Sequence, residues 1–180
     1  YIVPFGITKE ECKDEYVKMM KKAVYAPSEL KSREHIDSFR GIYMPYWYYT
    51  YDIEGKASMN EAKLFTVCTS HRVEVEYKAE MKGFYQDASS SFADELSDAI
   101  KPFDTALKKD FSPAYLSGFY ADCPDTAPEI YTGRLNKIVE SVVDSKVRNI
   151  EVFSKYQSEY LDTGINAAIQ LKEPQVAMLP

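Results

Sequence analysis

The sequence predicts an α+β fold: a mostly antiparallel twisted sheet, a capped N-terminal helix and one long C-terminal helix. Three observations lead there. Val73, Val75, Tyr77, Ala79 and Met81 alternate with Arg72, Glu74, Glu76, Lys78, Glu80 and Lys82, the pattern of a strand with one buried and one solvated face. Residues 41–52 form an aromatic stretch holding the only Trp and five of the fifteen Tyr. Apolar residues from Leu135 to Tyr160 recur at three- and four-residue steps, the period of a helix.

The elements follow in order. Residues 2–5 enter as a short extended segment. Thr8 and Glu11 form a capping box, in which each side chain satisfies the other's backbone amide. The helix behind it is expected to reach about Val24, with Cys12, Tyr16, Met19, Met20 and Ala23 on its apolar face. Lys18, Lys21 and Lys22 suit the negative end of its dipole. Pro27 closes it, residues 28–34 supply further turns, and His35 falls in a polar connection as a surface residue.

Residues 39–53 read as the aromatic strand. One face carries Ile42, Met44, Tyr46, Tyr48 and Thr50; the other carries Tyr43, Pro45, Trp47, Tyr49 and Tyr51. Pro45 cannot donate to a ladder and marks an edge or bulge. Glu54-Gly55 signals a turn, and Gly55-Lys56 lacks the residues of a phosphate loop. Residues 65–68 begin a second strand region. His71 falls at a turn before the alternating strand, where Glu74 and Glu76 are neutralised by Arg72 and Lys78. Residues 87–91 end the sheet segment. Ser91 with Asp94 reads as a second capping box and leads a helix to about Ile100. Capping also accounts for the three serines, since no nucleophile elbow surrounds them.

Residues 102–111 connect to a second aromatic cluster at residues 111–120. Cys123, beside Asp122 and Asp125, has no positive neighbour to activate it. The long helix is expected over residues 127–160, bending or breaking near Asp144-Ser145. Residues 165–171 and 175–179 read as two more strands.

Composition bounds the function. One domain over residues 1–180 is the expected size, and the 45% apolar fraction suffices for a core. A net charge of −6 argues against a non-specific nucleic-acid binder. Three widely spaced cysteines make neither a disulfide framework nor a zinc knuckle and fit reduced thiols in the cytoplasm. No run reaches the roughly 18 apolar residues of a membrane span. The chain starts without Met and stops within an apolar run, as a fragment cut from a longer chain would.

Four stretches together carry a family resemblance: Val3-Pro4-Phe5 with Thr8-Lys9-Glu10-Glu11; Gly41-Ile42-Tyr43-Met44-Pro45-Tyr46-Trp47; Tyr115-Leu116-Ser117-Gly118-Phe119-Tyr120-Ala121; and Val176-Ala177-Met178-Leu179-Pro180. The chain resembles bacterial proteins with an N-terminal zinc ribbon and a following globular region of unknown function, often labelled replication-restart helicase-like. The resemblance implies a cysteine-rich ribbon ahead of Tyr1 and a further Trp-containing strand after Pro180, so any zinc belongs to that ribbon and no cofactor to this chain. It transfers no catalytic residue, and the helicase label finds no phosphate loop to support it.

Three functions follow as expectations. The first is a non-catalytic binding or scaffolding module, engaging a protein partner or a second copy through aromatic or long-helix surfaces, with Tyr43, Trp47, Tyr49 and Tyr51 as candidate binding residues. The second is an accessory nucleic-acid-associated module stacking bases on Tyr43, Trp47 and Tyr49, although no cation interleaves with these rings. The third is a small-molecule enzyme with an aromatic-lined pocket, using Asp52, Glu54, His71 and Asp87 as acid/base groups.

Overall fold

A computed structural model describes residues 1–61, 71–100, 104–150 and 162–180. Its helices are α1 (Lys9–Lys22), α2 (Arg33–Asp37), α3 (Asp94–Ala99) and α4 (Glu129–Arg148). Its strands are β1 (Ile42–Glu61), β2 (His71–Asp87), β3 (Tyr120–Ala121), β4 (Asp162–Leu171) and β5 (Gln175–Leu179). This is the α+β architecture the sequence predicts, and β1 is its common strand: β2, β3, β4 and β5 all pair with it. The strand expected at residues 65–68 lies outside the described residues.

The chain forms two compact units, Tyr1–Trp47 with Asp87–Ala127 and Gln175–Pro180, and Tyr48–Gln86 with Pro128–Pro174. The 20 residues of β1 have a contour of about 65 Å, more than one small core covers. The two halves of β1 are therefore buried by different elements.

In the first unit, Ile2, Tyr43 and Met178 form a core against which Phe5, Tyr115, Leu116 and Val176 pack. The chain's start is tied into it. The Val3 amide donates to the Met178 carbonyl at 3.0 Å, and the Met178 amide to the Tyr1 carbonyl at 2.9 Å. The capping box forms as expected, with Thr8 N–H to Glu11 Oε2 at 2.7 Å and Glu11 N–H to Thr8 Oγ1 at 3.2 Å. The helix behind it buries no residue completely. Its inward stripe is Lys13, Tyr16, Val17 and Met20, while Cys12 and Met19 are exposed. Lys13 displaces the expected Cys12 because it reaches Asp37 at 2.7 Å, and the Tyr16 ring packs edge-on against Phe39.

In the second unit, β1 lies between β2 and β4. It pairs antiparallel with β4 from Tyr51↔Leu171 to Asn60↔Asp162. Tyr49, Tyr51, Ile53 and Ala57 are buried on one face of β1. Leu135, Val139, Val143 and Val147 are buried on α4 at every fourth position, one stripe of a helix. The opposite sheet face is a charged ladder: Lys56 pairs with Glu76 at 2.5 Å, Lys78 with Glu54 at 2.6 Å, and Lys172 with Glu80 at 2.7 Å.

Three local expectations change. Glu54-Gly55 is not a turn, since β1 runs through it; a Cβ at Gly55 would collide with the Tyr77 hydroxyl and the Asn166 carbonyl, so glycine marks a close approach. Ser91 does not cap α3, whose N-cap is Ala93 without a side-chain bond. The described part of the long helix ends at Arg148, which pairs with Asp144 at 2.7 Å; residues 151–161 lie outside the described residues.

Candidate interaction surface

An aromatic surface is built outward from Tyr43 in the first unit. Tyr43 is 1% exposed and forms the floor. Phe5 meets it edge-on with centroids 5.1 Å apart, and Phe119 does so at 5.4 Å. Above the floor Phe5 and Phe119 stack, 4.7 Å apart and 8° from parallel. Ring quadrupoles favour such edge-on and offset arrangements. Phe119 lies over Gly41, where a Cβ would strike both rings. Gly118, at φ +85°, takes the left-handed turn open to glycine and delivers Phe119 to this position. The backbone behind it is clipped to β1: the Tyr120 amide donates to the Gly41 carbonyl and the Asp122 amide to the Tyr43 carbonyl, both at 3.0 Å. Phe119 and Tyr120 are thereby held at 40% and 64% exposure, with Leu107 at 48% beside Gly6.

The residues singled out in the sequence fall in several places. Tyr43 is the buried floor of this surface. Trp47 is half-buried, and its indole N–H donates to the Thr126 carbonyl at 2.7 Å. Tyr49 is buried in the second unit and donates to the Pro128 carbonyl at 2.8 Å; burial raises its phenol pKa far above the usual value. Tyr51 is buried there too, edge-on to Phe84, with a hydroxyl that has no hydrogen-bond partner among the described residues. The exposed rings Phe119 and Tyr120 belong instead to the second aromatic cluster, which the sequence shows only as composition.

The acid/base candidates are engaged locally. Asp52 pairs with Lys172 at 3.0 Å and Glu54 with Lys78 at 2.6 Å. One carboxylate oxygen of buried Asp87 accepts from the Ser89 amide at 2.9 Å. The His71 side chain lies outside the described residues.

The three serines form a clasp. Ser89 Oγ donates to Asp122 Oδ2 at 2.5 Å, and Ser90 donates to Asp125 through both its amide (2.7 Å) and its hydroxyl (2.6 Å). The Ser91 amide donates back to Ser89 Oγ at 3.0 Å. These donors hold the Asp122 and Asp125 carboxyls below the usual range, which makes them weak bases for activating a serine.

A depression of about 600 Å³ on the second unit is lined by Glu54, Gly55, Lys56, Glu76, Tyr77, Lys78, Asn166 and Ala168. Its lysines and glutamates pair with one another.

The described residues define an α+β protein built on one long strand, with a half-exposed aromatic surface beside that strand's start. Among curated proteins, the chain is similar to the uncharacterized protein YdjG of Bacillus subtilis (strain 168), at 27% identity over 166 residues. The match covers 87% of this chain and 48% of that protein, so the chain spans about half the length of this relative. No family model matches, and no solved structure does.

Proposed function

We propose that this chain is a non-catalytic binding module that recognises another protein through the surface formed by the stacked rings of Phe5 and Phe119 over Tyr43. The carrying observation is that Phe119 stays 40% exposed while the backbone that follows it is fixed to β1. Aromatic side chains are enriched at interfaces because they bury large area with few rotors. A rigid backbone lowers the ordering cost of binding further. The surface needs no rearrangement to present two rings over a packed aromatic floor. The zinc ribbon implied by the family resemblance belongs to the same proposal, and metal analysis of a chain carrying such a ribbon ahead of Tyr1 would find bound zinc.

Site-specific photocrosslinking in cells tests the module. A photoreactive phenylalanine replacing Phe119 should give a discrete protein adduct. The same group replacing Lys56, on the charged sheet face, should give none. Equal adducts from both positions, or none from position 119, would overturn the reading. Phe119→Leu should weaken capture of the identified protein by about tenfold, as loss of an interface aromatic does, while Tyr120→Ser, on the opposite face of β3, should leave capture unchanged.

A further inference from the structure

The end of α1 carries a second exposed apolar feature, in a different chemical setting. Residues 18–31 contain Lys18, Lys21, Lys22 and Lys31 against a single acid, Glu29, on a chain of net charge −6. Lys18 pairs with Glu15 at 2.6 Å; Lys21, Lys22 and Lys31 make no ion pair among the described residues. After Lys22 the chain turns back through an Ala26 amide bond to the Ala23 carbonyl at 3.1 Å. At that turn Tyr25 is 100% exposed and Val24 78% exposed, and Met19, one helical turn earlier, is 52% exposed. A single exposed apolar side chain is ordinary. Here three stand within seven residues of chain, interleaved with cations.

That combination selects among partners. Stacking on nucleic-acid bases would use Tyr25 and leave Val24 and Met19 without a role. A bilayer surface uses all of them. Aliphatic side chains enter the acyl boundary, the tyrosine ring sits at the headgroup level, and lysines meet anionic headgroups. We infer that this tip is a peripheral contact for an anionic phospholipid surface, with Val24, Tyr25 and Met19 inserting and Lys21, Lys22 and Lys31 supplying the electrostatic attraction. It is independent of the surface at β3.

Cosedimentation of the chain with phosphatidylglycerol/phosphatidylcholine vesicles tests it, with pure phosphatidylcholine vesicles as the second arm. Binding is expected to the anionic vesicles, with release by high salt. It should fall by about tenfold or more in Lys21→Glu/Lys22→Glu and in Val24→Asp/Tyr25→Ser. Both pairs are exposed and α1 buries no residue completely, so the global melting midpoint should match the parent chain, any lost dipole stabilisation being confined to the last turn of α1. No binding to anionic vesicles, equal binding to neutral ones, or retained binding in either variant would overturn the inference. So would single-stranded DNA binding lost in the same variants without vesicle binding.

Discussion

Gly55 and Tyr77 show how one missing Cβ sets a strand's packing. A side chain at position 55 would meet the Tyr77 hydroxyl and the Asn166 carbonyl. Gly55→Ala should therefore destabilise the protein by about 1–3 kcal/mol, the usual cost of overpacking, read as a lower denaturation midpoint. The Tyr77 hydroxyl is itself buried without a partner among the described residues. Its removal discards an unsatisfied polar group, so Tyr77→Phe alone should be neutral or stabilising. In the double variant part of the Gly55→Ala loss should return, and the rest should persist because the Asn166 carbonyl cannot move away. A Gly55→Ala midpoint equal to the parent's would show that the close approach is not what requires glycine.

Single elements divide by how local their determinants are. The α1 cap depends on two residues three apart, so it is legible in the sequence. Thr8→Ala should cost about 1 kcal/mol. With no residue of α1 completely buried, that cost should appear as faster amide exchange in the helix's first turn rather than as a lower global midpoint. The alternation in β2 is equally local: Glu74, Glu76, Lys78, Glu80 and Lys82 are exposed, and Val75, Tyr77 and Met81 half-buried. Ala79 breaks the pattern by being exposed. The Ser91–Asp94 box fails for a non-local reason. Ser89 and Ser90 bond to Asp122 and Asp125, 33 and 35 residues away, and a search at three-residue spacing cannot see such partners. The exposed aromatic surface was hidden in the same way. Residues 111–120 look aromatic throughout, and only contacts with Phe5, Gly41 and Tyr43 decide which rings stay in solvent. The serine clasp carries its own pH signature. Asp122 and Asp125 titrate below the ordinary carboxyl value of 3.8 in the folded chain. Their stabilisation is therefore complete above that value and lost as pH falls through the lower folded values. Thermal midpoints followed from pH 5 downward should fall less steeply in Asp122→Asn than in the parent; parallel curves would remove the clasp from the acid response.

For the whole molecule, the tyrosines make the alkaline limit the more informative one. Of the fifteen tyrosines, Tyr43, Tyr46, Tyr49, Tyr51 and Tyr77 have phenol pKa values raised above the ordinary 10.0, in each case chiefly by burial. Four of these lie within β1, so the common strand carries most of the buried phenols. Burial penalises phenolate and leaves the neutral ring undisturbed. The folded state thus holds these protons more tightly than the unfolded chain does, and it gains stability that is fully present below pH 10 and lost as pH rises through the raised folded values. Phenolate absorbance from these rings should therefore appear only together with loss of near-ultraviolet circular dichroism. Tyr49→Phe removes the phenol with the largest upward shift while sacrificing its bond to the Pro128 carbonyl. Its midpoint at neutral pH should drop, by the roughly 0.5–1.5 kcal/mol of one hydrogen bond, yet its decline above pH 10 should be shallower than the parent's. If the buried phenols ionised reversibly before any loss of dichroism, they would have to be open to solvent. The tyrosines of β1 would then line a binding surface, and not the core of the unit to which each belongs.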